Sequence, residues 1–264
     1  MKSLRRYGRV MRVLWVIATV LVVAYTLSLA ERLRISVSLA RRQYWTQWFM
    51  RRLCAALPFR VTVSGPLPKQ PMLWVSNHVS WTDIPLLGML APLSFLSKAE
   101  VRTWPVAGWL ALKAGTLFIR RGSGDSQLIR KQMGQHLAGR HSLVIFPEGT
   151  TTDGRGLRTF HGRLLASAID MNVPLQPVAI RYTRDGRPDN LIAPFVGDDD
   201  LISHLSRLFA NEAGEVHIQL LEPIVSTGRE RAALAFEAQQ AIQQALFGTT
   251  TSQPSADGAP ARAA

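Results

Sequence analysis

Cysteine is nearly absent from this chain: Cys54 is the only one among 264 residues. A single cysteine excludes a disulfide framework and any CxxC metal or redox site within one chain. The six histidines are scattered, without an HExxH motif or paired zinc-ligand spacing, so no metal is expected. A G-x-S-x-G nucleophile elbow is also missing, and Cys54 is not adjacent in sequence to His78, the histidine that has an aspartate five positions after it. The sequence therefore requires no covalent intermediate on a serine or cysteine.

Acidic residues are scarce relative to basic ones. Lys and Arg number 31 against 18 Asp and Glu, which gives a net charge of +13. Such a surplus needs an anionic partner, such as nucleic acid, a membrane surface or a phosphorylated substrate. The basic residues bracket the most apolar part of the chain: Lys2, Arg5, Arg6, Arg9 and Arg12 precede it, and Arg32, Arg34, Arg41, Arg42, Arg51 and Arg52 follow it. Because no recognition-helix, RRM or zinc-finger signature accompanies the charge, a bilayer surface is the expected partner and nucleic acid is not.

Positions 13–30 carry no charge over eighteen residues, just enough to cross or deeply enter a bilayer. A cleaved signal peptide is the alternative, because Ser28-Leu29-Ala30 resembles a small-x-small site. The run exceeds the usual signal-peptide core of about 7 to 15 residues, which favours retention. Positions 35–59 mix arginines with aromatic residues, which is typical of an interfacial helix, with a core-packing helix as the alternative. Residues 1–58 are therefore predicted to form a membrane anchor and interfacial helix.

From residue 59 onward, short β-rich runs alternate with helical stretches, which predicts an α/β domain over 59–248. The predicted strands are 60–64, 72–76, 93–97, 116–120, 142–146, 175–181 and 216–221. The predicted helices are 84–90, 105–113, 126–138, 162–171, 201–209 and 229–246, the last after a Ser226-Thr227 capping signal. Residues 249–264 are too poor in apolar side chains to fold, so they are predicted to be a disordered tail.

The segment Asn77-His78-Val79-Ser80-Trp81-Thr82-Asp83 follows a predicted buried strand. A histidine with a carboxylate on one ring nitrogen can accept a proton from a hydroxyl on the other. On a regular helix an i, i+5 pair points about 140° apart, so a turn must bring His78 and Asp83 together. Thr82 and Asp83 are candidate caps for the next helix. Taken alone, the segment favours the plainer interpretation, in which Asp83 only caps the helix and His78 is an ordinary loop residue.

Three further blocks follow in order. Residues 115–121 read G-T-L-F-I-R-R, a strand that ends in two arginines able to clamp a phosphate or carboxylate. Residues 144–151 read V-I-F-P-E-G-T-T, a strand that stops at Pro147 and presents Glu148 on a tight loop. Residues 173–178 read V-P-L-Q-P-V. Each block alone has a structural explanation as solvated arginines, a turn residue or strand-edge prolines. The occurrence of all the blocks in this order is a more specific signal than any one block alone.

Together the blocks resemble the lysophosphatidic acid acyltransferase family of glycerolipid acyltransferases, which carries N-H-x4-D, G-x-x-F-I-x-R, F-P-E-G-T and V-P-x-x-P-V. The resemblance covers about residues 73–181. It implies a mixed sheet flanked by helices, the glycerolipid acyltransferase fold, after an N-terminal membrane-anchoring helical segment. It also implies transfer of a fatty acyl group from acyl-CoA or acyl carrier protein to a lipid hydroxyl, without another cofactor. By this resemblance His78 is the base and Asp83 orients it, and the acceptor is bound by Lys98, Arg120, Arg121, Glu148, Gly149 and Thr150.

The chain departs from the family in the third block, where members commonly continue F-P-E-G-T-R and this chain has Thr151. Losing a cation weakens the case for a phosphate headgroup, although Arg155 and Arg158 are nearby cations that can compensate. F-P-E-G-T-T followed by a polar residue, Asp and Gly is similar to bacterial members that acylate lyso-ornithine lipid, whose headgroup is an amino acid without phosphate.

Two acceptors therefore remain open. Lysophosphatidic acid (1-acylglycerol 3-phosphate), which would give phosphatidic acid, is the expected acceptor, and lyso-ornithine lipid, which would give ornithine lipid, is the close alternative. Hydrolysis by the same His/Asp pair is a rival reaction, and a basic membrane-binding or nucleic-acid-binding protein without catalysis is a rival from another class. The expected location is the bacterial inner (cytoplasmic) membrane, with the catalytic domain facing the cytoplasm.

Overall fold

The computed structural model describes residues 2–104, 107–119 and 126–248 of the protein. The helices are α1 Lys2–Arg32, α2 Leu39–Ala56, α3 Asp83–Gly88, α4 Ala107–Lys113, α5 Ser126–Ala138, α6 Ala166–Asp170, α7 Leu201–Ala210 and α8 Arg231–Phe247. The strands are β1 Phe59–Ser64, β2 Leu73–Ser76, β3 Leu93–Lys98, β4 Leu117–Ile119, β5 Ser142–Ile145, β6 Leu175–Arg184, β7 Arg187–Pro188 and β8 Gly214–Leu220. A 3-10 helix, Ala99–Thr103, follows β3. Arg120, Arg121 and the predicted tail 249–264 lie outside the described residues.

The strands form one mixed sheet in the order β1-β8-β6-β2-β5-β3-β4, with β7 paired to β6. Strand β2 runs parallel to both β5 and β6, β3 runs parallel to β5, and β4 runs parallel to β3. Strand β8 is antiparallel to β6, and β1 is parallel to β8. The mixed α/β sheet implied by the resemblance is confirmed. Because β2, β5, β3 and β4 are parallel, their carboxyl ends lie at one edge, where α/β proteins commonly bind ligands.

Alternation along the central strand β2 divides the core into two layers. Leu73 and Val75 pack with α5 and α8 on one face of the sheet. Trp74 points to the opposite face and packs with Leu86 and Leu87 of α3. Helices cover both faces, which explains why β2 is apolar up to Ser76 and fully buried. The strand that leads into the His78 segment is therefore enclosed on both faces of the sheet.

Helix α1 contains one span, Arg6–Arg32, that is long and apolar enough to cross a membrane by length and composition. Its most apolar window has a mean hydropathy of 2.3, and 22% of that window is buried within the protein. The buried part packs Val13 and Val16 against Leu208 and Phe209 of α7. The anchor predicted from the sequence is thus attached to the α/β domain along one stripe, and most of its apolar surface faces outward.

Helix α2 meets the α/β domain on one side only. Gln43 Nε2 donates to Ser94 Oγ at 3.1 Å, and Arg51 Nε donates to the Met89 carbonyl oxygen at 2.9 Å. Tyr44, in contrast, is 60% exposed. The core-packing interpretation therefore holds for this face of the helix, and the interfacial interpretation stays a prediction for the exposed face.

The local predictions for residues 162–171 and for Ser226 differ from the structure. The helix predicted at 162–171 extends only over Ala166–Asp170, and Gly162 instead packs so closely on α8 that a Cβ atom would lie 2.7 Å from the Arg231 carbonyl oxygen. Ser226 does not cap α8, which begins at Arg231. Its hydroxyl lies 2.9 Å from the Val173 carbonyl oxygen, so it fastens the α6–β6 connection. Tertiary contacts at both positions replace the local interactions that the sequence suggests.

Candidate active site

His78 and Asp83 are in contact at the carboxyl end of β2. His78 Nδ1 lies 2.8 Å from Asp83 Oδ2. The same oxygen accepts hydrogen bonds from the main-chain N–H groups of Val79 at 2.7 Å and Ser80 at 2.9 Å. The chain therefore wraps around the carboxylate before α3 begins at Asp83. This is the turn that the i, i+5 spacing requires.

The buried carboxylate of Asp83 fixes the tautomer of His78. An ionised carboxylate only accepts hydrogen bonds, so His78 Nδ1 must carry a hydrogen and Nε2 is left as the basic nitrogen. The imidazole stacks on Phe146, with 3.9 Å between ring centroids and 11° between planes. Its side chain remains 17% exposed, whereas that of Asp83 is fully buried. Asp83 and Phe146 therefore hold the His78 ring in one orientation, partly exposed and in contact with a buried carboxylate.

Tyr182 completes the support of Asp83 from strand β6. Its Oη donates to Asp83 Oδ1 at 2.5 Å and lies 2.8 Å from Thr82 Oγ1. Burial, reinforced by the Asp83 charge, raises the pKa of Tyr182 well above its usual value, so the hydroxyl stays a donor. Thr82 makes no side-chain cap bond to α3, contrary to its expected role, because its hydroxyl pairs with Tyr182. Tyr182 is not among the site residues predicted from the sequence, because it lies one position beyond the predicted strand 175–181 and in none of the four blocks.

Asn77 fastens the start of the loop to the neighbouring strand. Its side-chain oxygen accepts from the Ile180 N–H at 2.8 Å, and its Nδ2 donates to the Ile180 carbonyl oxygen at 3.0 Å. The amide thus extends the β2–β6 pairing by one position after the ladder ends at Ser76. The main chain is therefore anchored to β6 at the residue before His78.

Glu148 joins two loops of the site through its carboxylate. Oε1 accepts from the His78 N–H at 2.7 Å, and Oε2 accepts from the Arg158 N–H at 2.9 Å. Burial raises the pKa of Glu148, and these two hydrogen bonds oppose that rise. The Thr152 N–H donates to the His78 carbonyl oxygen at 2.8 Å, which adds a second link between the loops. The resemblance assigns Glu148 to acceptor binding, and the geometry adds that it holds the main chain on both sides of the site.

The remaining predicted acceptor ligands fall at the same edge of the sheet. Lys98 is exposed at the last position of β3. Gly149 has a φ of +73°, a conformation that favours glycine, and its N–H closes a turn onto the Phe146 carbonyl oxygen at 3.0 Å. Thr150 follows it and is half-buried. Acceptor binding by these three residues stays a prediction, and Arg120 and Arg121 lie beyond Ile119, the last described residue of β4.

A cavity of about 330 Å³ adjoins the His78 loop, lined by Thr151, Thr152, Asp153, Gly156, Leu157 and Arg158. The wall of this cavity is the segment in which the sequence departs from the F-P-E-G-T-R pattern. Thr151 Oγ1 donates to the Phe195 carbonyl oxygen at 2.5 Å, so its hydroxyl hydrogen is committed to the protein.

Comparison with known proteins identifies relatives of this arrangement. The sequence profile of the acyltransferase family matches residues 59–181. The chain is 63% identical to a lyso-ornithine lipid O-acyltransferase from Pseudomonas aeruginosa over 94% of this chain and 96% of that protein. It is 30% identical to the Brucella abortus enzyme of the same name, over 90% of this chain and 96% of that one. It is 38% identical to a 1-acyl-sn-glycerol-3-phosphate acyltransferase from Neisseria meningitidis, over 50% of this chain and 53% of that one.

A solved structure shares the fold. The crystal structure of a 1-acyl-sn-glycerophosphate acyltransferase from Thermotoga maritima matches with a TM-score of 0.67 and 20% identity, covering 97% of this chain and 100% of that one. The near full-length relatives, the family profile and the shared fold agree with the resemblance carried by the four blocks. The chain belongs to the acyltransferase family and is therefore an acyltransferase.

Proposed function

We propose that the protein transfers a fatty acyl group from an acyl thioester to the free hydroxyl of lyso-ornithine lipid, with His78 as the general base. The observation that supports the chemistry is the 2.8 Å contact between His78 Nδ1 and the buried Asp83 carboxylate, which makes Nε2 the proton acceptor. The acceptor is suggested by the 63% identity to the Pseudomonas enzyme along nearly the whole chain.

The reaction needs one proton to move twice. His78 Nε2 takes the proton of the acceptor hydroxyl as the oxygen attacks the thioester carbonyl carbon. The resulting imidazolium is stabilised by Asp83, whose position is held by Tyr182 and by the turn at residues 78–80. When the tetrahedral intermediate collapses, the C–S bond breaks and the imidazolium returns the proton to the leaving thiolate. The products are the acylated lipid and a free thiol.

Lysophosphatidic acid is the second candidate acceptor. The Neisseria relative supports it, although that similarity extends over 50% of the chain. Thr151 counts against it, because a threonine contributes no positive charge where the family pattern has an arginine for a phosphate dianion. The sequence motifs alone favour lysophosphatidic acid, and similarity to the near full-length Pseudomonas relative reverses that order.

The donor is proposed to be acyl carrier protein or coenzyme A carrying the acyl group as a thioester. Both are acidic, so the net charge of +13 favours their approach. These thioesters are cytoplasmic, whereas the acceptor is dissolved in the bilayer. We therefore place the α/β domain on the cytoplasmic face of a bacterial inner membrane, with α1 in the bilayer and the exposed face of α2 at the lipid surface.

The test is an acyl-transfer assay with the full-length protein in mixed micelles. Acyl-CoA and acylated acyl carrier protein, both labelled in the acyl group, are each offered with lyso-ornithine lipid and with lysophosphatidic acid. We expect labelled ornithine lipid from wild type, and none above background from His78→Ala. Labelled phosphatidic acid as the main product would show that the acceptor is lysophosphatidic acid and not lyso-ornithine lipid. Equal activity of wild type and His78→Ala would overturn the assignment of the base.

A further inference from the structure

The cavity beside His78 carries charges of both signs. Asp153 and Arg158 both line it, among four uncharged residues. A phosphate headgroup would meet Asp153 as a like charge, which costs binding free energy. An ornithine headgroup instead carries one carboxylate and one ammonium group, so each of its charges has an opposite partner in the cavity wall.

Three contacts join the wall of this cavity to the loop that carries His78. Thr152, which precedes Asp153, donates its N–H to the His78 carbonyl oxygen at 2.8 Å. Gly154 lies over Val79, with room for a Cβ atom at 3.7 Å from the valine side chain. Arg158 donates its N–H to the same Glu148 carboxylate that accepts from the His78 N–H. Thr152 and Glu148 therefore link the cavity wall to the main chain on both sides of the His78 side chain.

We propose that this cavity binds the headgroup of the acceptor, with Asp153 pairing with its ammonium group and Arg158 with its carboxylate; this rests on the proposed function. Asp153 is half-buried, and its carboxylate is positioned by the Arg155 N–H, which donates to Oδ1 at 3.1 Å. The Arg155 guanidinium lies 3.6 Å from Oδ2, a loose contact that an ammonium group can replace. Thr151 adds no further positive charge to the cavity wall, so the wall suits a headgroup with one charge of each sign.

Conservative variants separate binding from folding. Asp153→Asn removes the charge but keeps a side-chain oxygen for the Arg155 N–H. Arg158→Gln removes the guanidinium but keeps the main-chain N–H that donates to Glu148. Matched controls are Asp185→Asn and Arg187→Gln in the exposed β6–β7 turn. Asp185 has a φ of +51°, a conformation that asparagine also tolerates.

The experiment measures KM and kcat of these full-length variants with lyso-ornithine lipid and with the same lipid acetylated on its side-chain amine. For lyso-ornithine lipid we expect Asp153→Asn and Arg158→Gln each to raise KM about tenfold or more, with kcat within about twofold of wild type. With the acetylated lipid, which has no ammonium group, Asp153→Asn should match wild type. The two control variants should match wild type with both lipids.

The outcomes separate the two proposals. If wild type acylates lyso-ornithine lipid and Asp153→Asn has an unchanged KM, the headgroup assignment is wrong and the proposed function stands. An equal rise in KM for both lipids also overturns it, because Asp153 would then act on the loop and not on the ammonium group. If wild type acylates only lysophosphatidic acid, the proposed acceptor and the headgroup assignment both fail.

Discussion

Tyr182 Oη lies 2.5 Å from Asp83 Oδ1, so a side chain on β6 holds the carboxylate that orients the histidine on the β2 loop. Removing this hydroxyl in Tyr182→Phe deprives Asp83 of one donor and leaves Thr82 without this partner. We expect the free energy of unfolding to fall by about 1–3 kcal/mol. We also expect a several-fold lower kcat, because the imidazolium is less well stabilised. Urea unfolding and acyl transfer in micelles measure both. Tyr44→Phe on the exposed face of α2 is the control, and unchanged kinetics in Tyr182→Phe would contradict the positioning role.

His78→Ala removes the proposed base. General-base catalysis contributes about 10²- to 10⁴-fold, so acyl transfer should fall by that factor while the protein stays folded and bound to membranes. Asp83→Asn should cause a comparable loss, because an amide does not enforce the tautomer with hydrogen on Nδ1. Labelled product formation and circular dichroism make the comparison. His217→Ala is the control, since this histidine pairs with Ser64 on the distant β1–β8 edge. Near-normal transfer by His78→Ala would show that another group takes the proton.

Glu148→Gln should change the pH dependence of stability. Burial raises the pKa of Glu148 in the folded protein, so the folded state holds its proton to higher pH than the unfolded state does. The stabilisation that Glu148 provides is therefore fully present below the pKa that this residue has in the unfolded protein. It is lost as the pH rises through the higher pKa that the residue has in the folded protein. Wild type should gain stability relative to Glu148→Gln on going from pH 7 to pH 4. Urea unfolding of both proteins across this range measures the difference.

A constant stability difference between the two proteins over that pH range would contradict this account of Glu148. Glu148→Gln should also lower kcat at neutral pH, because a glutamine amide offers only one acceptor oxygen to the N–H groups of His78 and Arg158. Glu222→Gln, at an exposed position just after β8, serves as the control.

Thr151→Arg should shift acceptor selectivity towards lysophosphatidic acid. The substitution supplies the cation that the family pattern has after F-P-E-G-T, at the wall of the cavity. We expect the ratio of kcat/KM for lysophosphatidic acid over lyso-ornithine lipid to rise about tenfold. Thr151→Val is the control, because it removes the hydrogen bond to Phe195 without adding charge. An unchanged ratio in Thr151→Arg would show that this position does not read the headgroup charge.

Val22→Lys should weaken membrane association. Val22 is 63% exposed within the apolar span of α1, so a lysine there does not disturb the contact with α7. A lysine at the centre of a membrane helix costs about 2.5–3.5 kcal/mol, which should release part of the protein from vesicles. Co-sedimentation with anionic lipid vesicles measures the bound fraction. Phe236→Lys on α8, also an exposed apolar residue, is the control, and equal sedimentation of both variants would contradict the anchor assignment.

The elements of the fold could be predicted because their signals are local. The predicted helix at 126–138 coincides with α5, and each of the seven predicted strands appears in the sheet within a few residues. The i, i+5 spacing of His78 and Asp83 required a turn, and residues 78–80 provide it. The four blocks in order indicated the family. These conclusions depend on apolar periodicity, turn chemistry and motif order, all of which are written in short stretches of sequence.

Only the tertiary structure decided which distant residues support His78 and Asp83. Placing β2 between β5 and β6 brings Phe146 and Glu148 to one side of His78 and Tyr182 to the other side of Asp83. No local pattern encodes that strand order, because pairing between distant strands is set by the burial of the whole sheet. The sequence therefore determined the His/Asp pair and the turn that joins it, and it predicts a general base there. The packing of the strands around it determined which groups hold its geometry and which cavity stands beside it.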